Sequence, residues 1–197
     1  MGTIVLYGGT FNPIHKGHVN AVKAVAKELS PDRVIIMPAK IPPHKAVVDL
    51  ASEKDRVEMC RLAFLGIQNV EISDYELKRN EKSYSFYTVE HLKEKFPNDK
   101  IFFIVGSDML MTFNKWYRYK EILSMSSIVC VSREENDFNE LEAKANGLRE
   151  FGEIIVLKTK PFKISSTQIR DMIKNNKDTS CYIDEIVVKY IKEKNIY

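Results

Sequence analysis

Six short apolar runs recur along the 197-residue chain, each separated from the next by a segment of helical periodicity. They fall at residues 3–7 (Thr-Ile-Val-Leu-Tyr), 33–38 (Arg-Val-Ile-Ile-Met-Pro), 70–72, 100–105 (Lys-Ile-Phe-Phe-Ile-Val), 127–131 and 154–157. Continuous apolar runs of this length suit strands covered on both faces, the condition met by parallel sheets. Strands separated by helices pair in parallel through right-handed crossovers. The spacing therefore predicts an α/β protein with a doubly wound, mainly parallel sheet. A chain of 197 residues is expected to form a single domain, with residues 165–197 as a small helical C-terminal subregion.

Between the runs, Val19, Val22, Val25, Ala26 and Leu29 mark a helix from about Lys16, and Ser52 with Asp55 opens another. Residues 75–82 are densely charged and read as a solvated loop. Residues 83–88 enter a helix carrying Val89, Leu92 and Phe96, and residues 114–118 lead into a short helix ending near Met125. Residues 137–150 are polar, helical and expected at the periphery, and residues 183–192 form a last amphipathic helix.

The chemistry concentrates where the first run ends, in Gly8-Gly9-Thr10-Phe11-Asn12-Pro13-Ile14-His15-Lys16-Gly17-His18. Two glycines are expected to close the strand in a turn that lets backbone approach a ligand. Asn12-Pro13 is expected to keep the chain extended before the helix begins. A strand, a glycine turn and a helix start present free N–H groups and the positive end of a helix dipole to an anion. His15 and His18, three residues apart, can face the same way there, which makes a phosphate site. Gly106-Ser107-Asp108 repeats the arrangement after the fourth run.

Ile164-Ser165-Ser166-Thr167-Gln168-Ile169-Arg170 supplies a second anion-binding helix start, with three hydroxyl residues at the cap and a forked cation one turn on. Two helix starts, two histidines and an arginine suit several phosphates, so a nucleoside triphosphate fits better than a monophosphate. No Ser-His-Asp arrangement, metal-ligand cluster or carboxylate dyad is evident in the sequence. A phosphate monoester needs none of these as a nucleophile, because its second pKa near 6 leaves it ionised at neutral pH. Attack on the α-phosphorus of ATP then asks only for positioning and charge neutralisation, with Mg²⁺ carried by the ATP phosphates and no protein metal site.

Residues 8–18 resemble the G-G-[ST]-F-[DN]-P-x-H-x-G-H signature of the nucleotidyltransferase superfamily. Together with Pro-Pro-His-Lys at 42–45, residues 83–88, 102–110, 115–123 and 164–170, the chain is similar over nearly its whole length to bacterial nicotinate-nucleotide adenylyltransferases. The resemblance implies a Rossmann-like nucleotidyltransferase topology. It also implies transfer of AMP from ATP to nicotinate mononucleotide, with His15 and His18 as catalytic residues. ATP would be bound by Gly8, Gly9, Thr10, Phe11, His15, His18, Gly106, Asp108, Ile164, Ser165, Ser166 and Arg170. The acceptor would meet Asn12, His44, Lys45, Ser85 and Asp108, with its ring on Trp116 and its carboxylate on the Tyr117 N–H. The chain departs from the family pattern at Tyr87, where Asp is common, and at residues 132–135, where an Arg-Pro-Gly turn is usual.

Other readings remain. A related adenylyl- or cytidylyltransferase would share the histidine motif, and a non-catalytic nucleotide-binding regulator would share the fold. Trp116 could be a core residue, His44 and Lys45 a solvated loop, and His91 simply exposed. Lys115-Trp116-Tyr117-Arg118-Tyr119-Lys120 interleaves basic and aromatic residues as single-stranded nucleic-acid sites do, but a net charge of +3 offers no wider basic surface. Nucleic acid and membrane are therefore not expected partners; ATP and the mononucleotide are, and a homo-oligomer is compatible with the chain. Cys60, Cys130 and Cys181 are widely spaced and odd in number, as reduced thiols of a cytoplasmic protein would be. No apolar run approaches the length of a membrane span, and the first 20 residues have no signal-peptide pattern.

Overall fold

The computed structural model describes residues 1–40, 49–80, 82–132, 137–160 and 162–197. Six strands, β1 (Thr3–Gly9), β2 (Arg33–Pro38), β3 (Val70–Ile72), β4 (Lys100–Gly106), β5 (Ser127–Val131) and β6 (Ile154–Leu157), form one sheet in the order β3-β2-β1-β4-β5-β6. Every pairing is parallel. Helices α1 (Lys16–Leu29), α2 (Glu53–Ala63), α8 (Ser166–Lys174) and α9 (Glu185–Glu193) contribute to the core on one face of the sheet. Helices α4 (Ser85–Lys95), α5 (Ser107–Met111), α6 (Tyr119–Met125) and α7 (Phe138–Asn146) cover the other.

Alternation along the strands explains why both faces close. Val5, Tyr7, Val34, Ile36, Phe102 and Ile104 point into the first core, against Val22 and Val25 of α1, Met59 and Cys60 of α2, and Ile169 of α8. Ile4, Leu6, Ile35, Met37, Phe103 and Val105 point into the second, against Phe86, Val89 and Leu92 of α4 and Ile122 of α6. The central strands are therefore apolar and largely buried beyond their first residues, while the edge strand β3 is only half-buried.

Four expectations change. β1 continues through Gly8 and Gly9, which pair with Met37 and Pro38, so the glycines end the strand inside the ladder. Asn12–Pro13 is a cis peptide and Phe11 takes a left-handed conformation (φ 50°), so this stretch is a compact turn and not an extended one. The charged segment after β3 contains a short helix, α3 (Tyr75–Lys78), because Glu76 and Leu77 are buried within it. Helix α7 buries Leu141 and Ala145 against the sheet, so it is part of the second core, and the 3₁₀ turn Arg149–Phe151 follows it.

Buried polar side chains tie the loops to this frame. Arg56, fully buried on α2, donates from Nη1 to the carbonyls of Thr10 (2.8 Å) and Ala39 (2.7 Å), joining the chain just beyond β1 to the chain just beyond β2. Asn12 is 2 % exposed and accepts at Oδ1 from the Ala51 N–H (2.9 Å) and the Tyr197 hydroxyl (2.7 Å). Its Nδ2 donates to the Asp49 carbonyl at 2.9 Å. Burial pushes the Tyr197 hydroxyl well above its usual range, so it serves here as a donor.

Asn12→Ala would leave three buried or part-buried groups without this partner and is expected to cost about 3 kcal/mol of stability. Tyr197→Phe leaves Asn12 paired with Ala51 and should cost about 1 kcal/mol. Urea unfolding of both variants checks the order; a larger loss from Tyr197→Phe would show that Asn12 is not the centre of this network.

Candidate active site

β1 and β4 lie side by side and their following helices leave on opposite faces of the sheet, α1 on one and α5 on the other. A crevice opens at such a switch, outside the carboxyl ends of the strands. Here it is a cleft of about 610 Å³, lined by Gly8, Gly9, Gly106 and Asp108 from those strand ends. His15, His18, Ile164, Ser165, Ser166 and Arg170 line it too, as do Ser85, Trp116 and Tyr117. Thr10, Phe11 and Asn12 complete the set of expected residues that the fold brings together; His44 and Lys45, like residues 133–135 of the divergent loop, lie outside the described residues.

His15 is the N-cap of α1, and its carbonyl accepts from the N–H groups of His18 (2.9 Å) and Val19 (3.3 Å). Its own N–H donates to His18 Nδ1 at 3.2 Å. That acceptor role leaves the proton of the neutral His18 ring on Nε2, a donor. The two imidazoles stack with centroids 3.7 Å apart, and Phe11 meets His18 edge-on at 5.2 Å. Phe162 lies parallel to His15 at 6.3 Å. The glycine between the histidines is required by this packing: a Cβ at Gly17 would sit 2.9 Å from the His15 ring and 2.8 Å from Phe162. At Gly9 a Cβ would meet the Phe11 ring at 2.9 Å, whereas at Gly8 nothing stands closer than 3.9 Å.

Helix α8 is joined directly to the histidine loop. The Ser166 hydroxyl donates to the Pro13 carbonyl (2.9 Å), and Arg170 Nη1 donates to the Asn12 carbonyl (2.9 Å). Ser165 forms a reciprocal cap with Gln168, accepting from its N–H (3.2 Å) and donating its own N–H to Oε1 (2.9 Å). The cap hydroxyls thus serve the protein itself, and the first-turn N–H groups of α8 are what the helix start offers an anion. Arg170 is buried, at 8 % exposure, instead of lying on the surface. Asn12 likewise has its side chain engaged by Asp49, Ala51 and Tyr197.

The other half of the cleft is aromatic. Trp116 is half-buried, packed on Phe113 (5.0 Å) and Phe103 (6.1 Å), and still lines the cleft. Tyr117 is 45 % exposed and lies 5.1 Å from Tyr84. Helix α6 begins at Tyr119, so the Tyr117 N–H lies in the turn before the helix and not in its first turn. Tyr87 replaces the common Asp without disturbing α4: the Arg79 guanidinium lies 4.6 Å from its ring centroid and donates to the Tyr75 hydroxyl at 2.9 Å. His91 is half-buried and stacked on Tyr75 at 3.8 Å, and burial lowers its pKa. Arg118 packs over Phe86 and pairs with Glu121, and Lys120 lies over Phe151, so part of the basic-aromatic stretch is held on the protein.

Sequence reasoning missed Glu76, which also lines the cleft at 6 % exposure, because the charges around it read as a solvated loop; the flanking Tyr75 and Leu77 were the available signal. Among the described residues no group of three or more His, Cys, Asp or Glu side chains could hold a metal ion. No helix among them is long and apolar enough to cross a membrane.

The cytidylyltransferase-like family profile matches residues 6–172. A nicotinate-nucleotide adenylyltransferase of Bacillus subtilis is 34% identical over 197 residues, covering 100% of this chain and 99% of that protein. A protein of Clostridium botulinum named as a probable nicotinate-nucleotide adenylyltransferase is 38% identical over 195 residues, 98% of this chain and 96% of its own length. The structure of the Plasmodium falciparum nicotinic acid mononucleotide adenylyltransferase complexed with NaAD superposes with a TM-score of 0.84 at 18% identity, covering 100% of this chain and 98% of that one. With the histidine motif seated at the strand switch and relatives matched from end to end, the chain belongs to the nicotinate-nucleotide adenylyltransferases within the cytidylyltransferase-like family.

Proposed function

We propose that this chain transfers AMP from ATP to nicotinate mononucleotide, forming nicotinate adenine dinucleotide and pyrophosphate in NAD biosynthesis. The observation that carries this reading is continuity: one cleft runs from the stacked histidines and Arg170 to Trp116 and Ser85. A triphosphate at the first and a pyridine ring at the second would bring the acceptor phosphate to the ATP α-phosphorus.

An ionised oxygen of the mononucleotide phosphate attacks the α-phosphorus, and the bond to the β-phosphate oxygen breaks, its electrons leaving with pyrophosphate. Mg²⁺ would be carried by the ATP phosphates rather than by protein side chains, and would supply charge neutralisation there. The protein supplies fixed donors where charge builds: the His18 Nε2–H, the helix start at His15, and the guanidinium of Arg170. His15 holds the His18 ring in its donor tautomer through the bond to Nδ1. Asp108, at the start of α5, is an exposed carboxylate lining the cleft, and the family resemblance assigns it to the nucleotide. Residues 165–197 act with the rest as one unit, closing one wall of the site. The ATP and mononucleotide it consumes place its work in the cytoplasm.

His18→Ala is expected to fold and to lose on the order of a hundredfold in kcat, as removal of a transition-state donor does. Pyrophosphate release from ATP, Mg²⁺ and nicotinate mononucleotide measures this; near-normal turnover in the folded variant would sink the assignment. Gly17→Ala keeps both histidines but drives its methyl group into the His15 ring, so kcat should fall about tenfold or more through misplacement alone. An unchanged kcat would show that the stacked geometry is dispensable.

The same assay with the amide in place of the acid tests substrate choice. Donors from Ser85 and the backbone near Tyr117 suit a carboxylate, and an amide NH₂ facing them leaves an unsatisfied pair worth about 1–3 kcal/mol. Nicotinate mononucleotide should be preferred at least about tenfold in kcat/KM. Equal rates would remove the acid from the reading and leave adenylyl transfer standing.

A further inference from the structure

Glu76 is a carboxylate in the wall of the cleft, and the transfer chemistry above gives it no task. It is 6 % exposed and reaches the cleft from α3, a helix that exists because this residue and Leu77 turn inward. Its Oε1 accepts from the Thr88 hydroxyl at 2.6 Å. The Ser83 hydroxyl accepts from the Lys40 N–H at 3.1 Å, which leaves its own proton to donate to Glu76. Two hydroxyl donors on one carboxyl group match the ionised form, which only accepts. Burial pushes the carboxyl pKa up, while those hydroxyls and the Arg79 charge pull it back.

A buried anion beside aromatic faces is the composition of a site for a flat cation. Thr88, which donates to Glu76, lies one turn along α4 from Ser85; Tyr84, next to Ser83 in the chain, meets Tyr117 at 5.1 Å; and all of these line the cleft together with Trp116. In pyridine mononucleotides the ring nitrogen is quaternary, because it carries the glycosidic bond, so the ring is cationic whatever its substituent. The Ser85 and Tyr117 donors address the substituent and nothing in them addresses this charge.

We propose that Glu76 is a specificity-determining residue that reads the positive charge of the acceptor ring, so that the cleft selects oxidised pyridinium mononucleotides over their neutral dihydropyridine forms. This rests on the proposed acceptor. It goes beyond it in assigning ring charge, and not only the ring substituent, to a named side chain. The expected burden on the fold is small, since Thr88 and Ser83 satisfy the carboxylate when the cleft is empty. Asp108, the other acidic lining residue among those described, is exposed, so its field is screened.

The test is calorimetric binding of nicotinate mononucleotide and of 1,4-dihydronicotinate mononucleotide, which share the carboxylate, ribose and phosphate and differ in ring charge. The wild-type protein should bind the pyridinium form at least about tenfold more tightly. In Glu76→Gln, checked for folding by circular dichroism, that ratio should collapse to within about twofold, through weaker binding of the pyridinium form alone. Equal binding of the two forms by the wild type overturns the proposal without recourse to any variant. So does a parallel loss for both ligands in Glu76→Gln, which would mark a structural residue. Pyrophosphate release by the wild type is measured alongside: its absence with every pyridine mononucleotide removes the transfer reading itself, and this inference with it.

Discussion

The structure depends on the position of β1 at the centre of the sheet, hydrogen-bonded to β2 on one side and to β4 on the other. Because the strand order reverses there, the helices following β1 and β4 must diverge to opposite faces. The divergence leaves backbone N–H groups and two glycine-bearing strand ends facing a common space with no helix to fill it. Everything chemical about the molecule is assembled around that gap. The apolar character of β1, β2, β4 and β5 keeps it there, since a slip of β2 or β4 would draw the flanking Arg33 or Lys100 into the buried ladder.

A sheet alone would leave the loops above it free, and the buried polar side chains remove that freedom. Arg56 grips the carbonyls after β1 and β2, Asn12 joins the 49–51 segment and Tyr197 to the histidine loop, and Ser166 with Arg170 fastens α8 to the same loop. Buried charged and amide groups of this kind are poor sources of net stability compared with apolar packing, but they define one arrangement among many. Their convergence on residues 10–13 fits a loop whose value lies in holding two imidazole rings in one geometry.

The cleft that results is polarised. Its lining combines histidines, an arginine and two helix starts with a carboxylate, Glu76, and the aromatic residues Tyr84, Trp116 and Tyr117. The proposed ligands, a run of phosphates and a flat cationic ring, would match both, and the fixed histidine and arginine donors would need little reorganisation as charge builds on the phosphates.

The alternating α/β frame and its most local chemistry are legible in the residues alone. Both follow from short-range physics: uninterrupted apolar runs identify strands buried on both faces, and the His-x-Gly-His and Ser-Ser-Thr segments identify helix starts within a few residues of where they occur. Which of those side chains line the cleft and which are taken up by the protein itself depends on long-range packing. Asn12 and the Ser166 hydroxyl looked like ligand donors but meet Ala51, Tyr197 and Pro13, partners far away in sequence. Arg56 and Tyr197 carried no local signal, and Glu76 none beyond its flanking Tyr75 and Leu77, because a charged or phenolic side chain in a polar stretch reads as solvated until the fold removes the water around it. Helix α3 shows the same limit: four residues have too little propensity or periodicity to declare themselves, and it is burial of Glu76 and Leu77 against the sheet that makes them helical.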